Sequence, residues 1–326
     1  MNFIDKAQFL INRIGVVNVY HGIENFKKIA YPVVTTGTFD GVHLGHMTII
    51  NRLKEVAKKQ NGETVLLTFF PHPRMVLQED NDLKLINTLQ EKISLLEKAG
   101  IDHLIIHPFT REFSRLTSLE FVRDLIANKI GTKRLVIGYD HHFGRNREGS
   151  FEHLMEFGNL YGFEVEEIPA QDIDNVNVSS TKIRKALTEG DLKTANEYLT
   201  HPFSISGKVV SGAQNGRKLG YPTANIQVEE AYKLIPAFGI YAVKVQVNNQ
   251  TYNGMLNIGV RPSISDADGK PTIEVNIFDF DGDIYGQDII VQLVDRIRAE
   301  EKFPTLDDLV NQMHLDKLQS LAILEK

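Results

Sequence analysis

The rhythm of apolar residues in this chain changes once, near His201-Pro202, and that change demands two different kinds of sheet. Before it, short apolar runs at Tyr31–Thr36, Thr64–Phe69, His103–His107, Leu135–Gly138 and Phe163–Ile168 alternate with helical patterns. Such runs suit parallel strands covered by helices on both faces. Met47, Ile50, Leu53 and Ala57 form one helical face, and Ile93, Leu96 and Ala99 another, ended by Gly100. Thr117 and Glu120 have capping-box spacing and predict a helix over Leu119–Lys129 that stops at Gly131. After the change, Tyr241, Val243, Val245 and Val247 alternate with Ala242, Lys244 and Gln246, the period of an antiparallel strand. Asn248-Asn249 and Asp281-Gly282-Asp283 supply turn residues, and Asp266–Lys270 reads as a polar loop. The expected class is α/β: a parallel-sheet domain over 1–187, a linker over 188–202, and a small antiparallel barrel or sandwich over 203–326, closed by a helix from Thr305 to about Leu324.

The 326 residues agree with two domains of about 150 residues each. A net charge of -6 argues against a nucleic-acid partner, so an anionic substrate must meet local positive islands. No stretch approaches the roughly 20 apolar residues of a membrane span. Met1–Ile11 is interrupted by Asp5, Lys6 and Gln8, which is unlike a secretory leader. The absence of cysteine excludes disulfides and thiolate catalysis. A cytoplasmic protein is expected; composition fixes no oligomeric state.

Two segments concentrate glycine with basic or polar side chains. Gly37-Thr38-Phe39-Asp40-Gly41-Val42-His43-Leu44-Gly45-His46 follows the first strand and runs into a helix. Glycines let backbone approach phosphate, and the helix N-terminus offers unpaired N–H donors. The helix dipole contributes only about 0.3–1 kcal/mol, so side chains such as His43 and His46 are needed. Ordinary loop histidines, or a zinc site joined by His72, His141 or His142, are the competing readings. Ser179-Ser180-Thr181-Lys182-Ile183-Arg184 places hydroxyls at a helix start ahead of two cations; read alone, it is a simple N-cap with solvated charges. In the second half, Gly216-Arg217-Lys218-Leu219-Gly220 suggests a basic loop over phosphates. Thr223 and Asn225 offer hard oxygens on one strand face, suited to Mg²⁺, and a polar edge strand is the alternative.

The Gly37–His46 segment resembles the signature of the HxGH nucleotidylyltransferases, which implies a Rossmann-like N-terminal domain and nucleotide contacts at Gly37, Phe39, Asp40, Gly41 and Gly45. Ser179, Ser180, Thr181, Lys182 and Arg184 look like the superfamily's second motif. Thr68–Pro73 and Gly138–Arg145 resemble prokaryotic FAD synthetases, which implies a flavin pocket shaped by Phe70, Pro71, His72, Pro73, Asp140 and Phe143. From Gly216 onward the order of segments, including Gly239–Ala242, Asn253–Gly259, Ile273–Phe278 and Ile297–Phe303, is similar to riboflavin kinases. That likeness implies a barrel, phosphate contacts from Gly216, Arg217 and Gly220, Mg²⁺ on Thr223 and Asn225, Glu274 as general base, and Arg298 at the flavin. Both halves together resemble the prokaryotic bifunctional riboflavin kinase/FAD synthetases. The implied substrates are ATP, riboflavin and FMN, and the products FMN and FAD. Adenylylation of another phosphorylated acceptor and flavin sensing are the rival functions; His43, His46, Glu274, Thr223 and Asn225 weigh against them.

Overall fold

The computed structural model describes residues 16–78, 82–139, 141–169, 178–212, 216, 219–260 and 271–325. They form two compact units, one from residues up to 83 and 89–178, the other from 84–88 and 179 onward.

In the first unit six parallel strands, β1 (Asn18–His21), β2 (Pro32–Thr36), β3 (Glu63–Phe70), β4 (His103–Pro108), β5 (Arg134–Gly138) and β6 (Glu164–Ile168), lie in the order β1-β4-β3-β2-β5-β6. Five coincide with the apolar runs. β1 was not anticipated: it is a four-residue edge strand with no fully buried residue, too short to show a period. Val33 and Leu66 feed the core under α1 (Leu44–Lys59), while Val34, Val65 and Leu67 feed a second core on the other face. This two-sided burial accounts for the Val, Leu and Ile runs of the central strands β2, β3 and β4. β3 and β4 are added on one side of β2 and β5 and β6 on the other, so the strand order reverses beside β2, and its carboxyl end opens onto the crevice where ligands bind in such sheets.

Further helices are α2 (Pro73–Leu77), α3 (Leu89–Lys98), α4 (Ser118–Glu120, continuing as Phe121–Ile130) and α5 (Phe151–Tyr161). The capping box at Thr117 and Glu120 is formed, and Gly131 ends α4 with φ 73°. The body of α4 is wound as a π-helix, which the spacing of its apolar residues does not reveal.

The strands of the second unit are β7 (Phe203–Val210), β8 (Ala224–Gln227), β9 (Gly239–Val247), β10 (Gln250–Gly259), β11 (Thr272–Ile277) and β12 (Asp288–Arg298). They close into a six-stranded antiparallel barrel, ordered β10-β11-β8-β7-β12-β9, which settles barrel against sandwich. Tyr241, Val243, Val245 and Val247 are buried in its interior as their period requires. Asn248 and Asn249, at φ 50° and 61°, make the tight left-handed turn between β9 and β10. Two helices precede the barrel, α6 (Ser180–Glu189) and α7 (Leu192–Leu199), and one follows it, α8 (Leu306–Leu324). α8, capped by Thr305, packs on β9, β10 and β12.

Residues 188–202, expected as a linker, differ from that expectation. They carry the end of α6 and all of α7. Leu192, Ala195 and Leu199 are buried against β7 and β12, because their i, i+3, i+7 spacing gives the segment an apolar face to bury. Residues 84–88 also belong here: Leu85 N–H donates to the Tyr232 carbonyl at 2.7 Å, and the buried Lys233 ammonium donates to the Ile86 and Ser204 carbonyls, each at 2.7 Å. Among the described residues no helix is long and apolar enough to cross a membrane.

Candidate active sites

The glycine-rich segment leaves the carboxyl end of β2 and turns into α1 through a backbone that few sequences accept. Gly41 has φ 90°, but Phe39 and Val42 also have positive φ, 48° and 42°, and a β-branched residue is a steric outlier there. Phe39, Asp40, Val42 and His43 are nonetheless almost wholly buried, so packing holds the loop in a shape that local preference resists. The Thr38 carbonyl accepts from the Lys92 ammonium at 2.9 Å and from Thr68 Oγ1 at 3.2 Å.

His43 caps α1, its Nδ1 accepting the His46 N–H at 3.4 Å. The two imidazoles stack with centroids 3.6 Å apart and 17° between planes, and Phe39 lies 4.8 Å from His46. Stacked rings do not converge on one metal, and no cluster of three or more His, Asp or Glu suited to a metal ion occurs among the described residues. Burial lowers the His46 pKa well below its ordinary value, helped by the nearby His43 and Lys92. His46 is therefore a neutral imidazole near neutral pH. Its Nδ1 is buried with no partner among the described residues. A proton there would be an orphan N–H, so the tautomer protonated on Nε2 is preferred.

Other predicted residues are distributed as follows. Gly37 and Gly45 lie in the loop and first turn of α1, with Gly45 buried. Phe70 packs partly into the α1-side core, and the Phe70–Pro71 peptide is cis. His72 caps α2 by accepting the Arg74 N–H at 3.2 Å, and Pro73 occupies the first helical position. Phe143 is buried in the core on the sheet face opposite α1, its ring 5.8 Å from Phe121. Asp140 and Arg217 lie outside the described residues. Ser179 caps α6 by accepting the Lys182 N–H at 3.3 Å; Thr181 and Lys182 are exposed, Ser180 is partly buried, and Arg184 Nε donates to the Lys84 carbonyl at 2.9 Å. These residues belong to the second compact unit, whereas His43 and His46 belong to the first.

In the barrel, Glu274 on β11 pairs in register with Asn225 on β8 and with Asn257 on β10. The three side chains alternate with the buried Ile226, Val275, Leu256 and Ile258, so they form one row on the outer face. Thr223 Oγ1 donates to Glu274 Oε2 at 3.1 Å, and the buried Asn276 holds the neighbouring Pro222 carbonyl at 2.7 Å. Gly212 presses so closely on the Asn225 amide that an added Cβ would lie 2.1 Å from its nitrogen. The Gly216 carbonyl accepts from Leu219 and Tyr221 N–H, and Gly220 has φ 81°. A hydroxyl that donates to a carboxylate keeps its lone pairs for a cation, so Thr223 and Asn225 fit an Mg²⁺ ion that retains water and substrate phosphate oxygens.

Arg298 continues the same register row, since it pairs with Ile240 on β9 and Ile240 pairs with Asn257. Its fork grips Asp316 of α8, Nε to Oδ1 at 2.9 Å and Nη2 to Oδ2 at 2.7 Å, because a register shift at Arg296/Arg298 turns the end of β12 toward that helix. Two residues were not singled out from sequence. Asn257 lies beside Glu274 with a buried Oδ1 that has no partner among the described residues, and Lys92 underlies the first loop. Asn257 lies within the family-like Asn253–Gly259 segment but nothing there distinguishes it from its neighbours, and Lys92 carries no motif signal; strand register and helix packing reveal them.

Residues 27–182 match the family model described as FAD synthetase, and residues 199–324 the one described as riboflavin kinase. Proteins named bifunctional riboflavin kinase/FMN adenylyltransferase are similar along nearly the whole chain. One from Buchnera aphidicola is 38% identical over 303 residues, covering 92% of this chain and 96% of that protein. One from Listeria monocytogenes is 37% identical over 295 residues, covering 90% and 93%. A solved structure named macrolide-efflux protein from Streptococcus pneumoniae superposes with a TM-score of 0.83 at 31% identity, covering 93% of this chain and 99% of that one.

Proposed function

This chain belongs to the bifunctional riboflavin kinase/FMN adenylyltransferase family, and from that premise we propose how its residues divide the two reactions. It phosphorylates riboflavin to FMN and adenylylates FMN to FAD. The solved neighbour is named for efflux, but two enzyme-family models match the two units of this chain, and the transferase reading follows them.

Kinase chemistry falls to the barrel. A ribityl hydroxyl attacks the γ-phosphorus of ATP, Glu274 takes its proton, and the bond to the ADP oxygen breaks. Mg²⁺ would be held by the Thr223 hydroxyl and the Asn225 amide oxygen, where it neutralises phosphate charge. Gly216, Arg217 and Gly220 belong to the loop over the phosphates.

Adenylyl transfer falls to the first unit. An FMN phosphate oxygen attacks the α-phosphorus of ATP, and pyrophosphate leaves. The nucleophile is already ionised, so no covalent enzyme intermediate is needed. His43, His46 and the α1 N–H groups stabilise the α-phosphate, with His46 donating as a neutral imidazole. With no cysteine to maintain, a cytoplasmic setting fits this reading.

The observation that carries the division is the Thr223–Glu274 hydrogen bond with Asn225 in register, an acid–base and cation-ligand set that owes nothing to the histidine loop. The test is chromatography of the purified chain with riboflavin, ATP and Mg²⁺. FMN appearing first and FAD after it supports both assignments. FMN alone sinks the first site; no turnover sinks the kinase assignment, and no FAD from supplied FMN and ATP then sinks the other.

A further inference from the structure

Lys92 lies outside every phosphate motif, yet it is the buried cation beneath the histidine loop. α3 buries Leu96 and partly buries Ile93 in the core, and Lys92, on the flank of that face, is only 3% exposed. An ammonium at that depth persists only when paired and hydrogen-bonded. Its Nζ donates to the Thr38 carbonyl at 2.9 Å; burial lowers its pKa, and the buried Asp40 carboxylate partly offsets that by favouring the charged form.

Thr38 precedes Phe39, Gly41 and Val42, all at positive φ. Fixing its carbonyl with a charged donor, beside the neutral one from Thr68, supplies the outside restraint that such a backbone requires. The loop ends at His43, whose cap sets the first turn of α1 and the stack with His46. The titratable groups facing His46 are His43 from the loop and Lys92 from α3; Asp40 acts on it through Lys92.

We infer that Lys92 is a positioning residue for adenylyl transfer, holding the Thr38–His43 loop in shape and setting the electrostatic surroundings of His46. This rests on the adenylyltransferase reading of the first unit. Lys92 itself touches no substrate; it acts through the Thr38 carbonyl and through its field at the imidazole.

The test compares full-length wild type with Lys92→Met in two assays, riboflavin to FMN and FMN to FAD, across the acid side of neutrality. In the variant, kcat for FAD formation should fall by roughly 10²-fold, the loss that slight misplacement of a reacting group brings. FMN formation should stay within about twofold of wild type and so reports folding. Removing a cation lets His46 protonate more readily, so the acid limb of FAD formation should move to higher pH. Thr68→Val removes the uncharged donor to the same carbonyl; it should slow FAD formation and leave the acid limb in place. If Lys92→Met does not fold, Lys92→Gln, which keeps a donor without the charge, takes its place. An unmoved acid limb with FAD formation near wild type overturns the inference. So does a parallel loss of both activities in both Lys92 variants, which would make the residue a scaffold only. Wild type that forms FMN and no FAD would instead refute the parent reading.

Discussion

Replacing Glu274 by Gln tests the kinase assignment with little structural disturbance. The side chain is half-buried on the outer face of β11, and its contact with Thr223 is a hydrogen bond it accepts. A glutamine of the same length can still accept that bond through its amide oxygen, so folding should change by no more than about 1 kcal/mol, the net worth of one such bond. What the amide cannot do is take the proton of the attacking hydroxyl. A positioned general base contributes about 10²–10⁴-fold, or roughly 3–5 kcal/mol of barrier. FMN formation from riboflavin should therefore drop by at least about 10²-fold, in kcat more than in KM, because the loss is felt in the transition state. Conversion of supplied FMN to FAD should continue. Chromatographic separation of riboflavin, FMN and FAD measures both steps on one preparation. A fall in FMN formation of less than about tenfold, or equal loss of both steps in folded protein, would refute Glu274 as the base of an independent site.

Arg298→Met leaves the 2%-exposed Asp316 carboxylate with the weaker donor Gln312. Unfolding of the barrel, followed by circular dichroism in urea, should show about 3 kcal/mol lost, recovered in part by Arg298→Met/Asp316→Leu. Loss of FMN formation with stability intact would point to the flavin contact that the resemblance implied. Burial, His142 and Arg147 hold the His141 pKa down to about 4, below the usual 6.5. The unfolded chain then takes up the proton first as pH falls, so this contribution is complete above about pH 6.5 and is lost toward pH 4, up to roughly 3 kcal/mol. His141→Phe keeps a ring beside Phe143 and should flatten stability over that window in an acid titration; an unchanged slope refutes it.

Much of this architecture was readable because periodicity is a local property. The apolar runs of β2 to β6, the capping box at Thr117 and the Asn248-Asn249 turn each follow from side-chain and backbone preferences within a few residues. Failures came where tertiary packing overrode or exceeded local signal. β1 is too short and too exposed for a pattern, α4 is wound as π, and 188–202 forms a packed helix.

The same division holds for the sites. The sequence determined the chemistry available: the histidine pair before a helix, and a glutamate, threonine and asparagine suited to phosphate and Mg²⁺. Only tertiary structure decided which groups stand together. It set Asn257 beside Glu274 through strand register, committed Arg298 to Asp316 through a bulge, and carried Lys92 under Thr38 across 54 residues of chain. Such contacts join residues far apart in sequence, and their geometry is fixed by the burial of other side chains, so no local pattern records them.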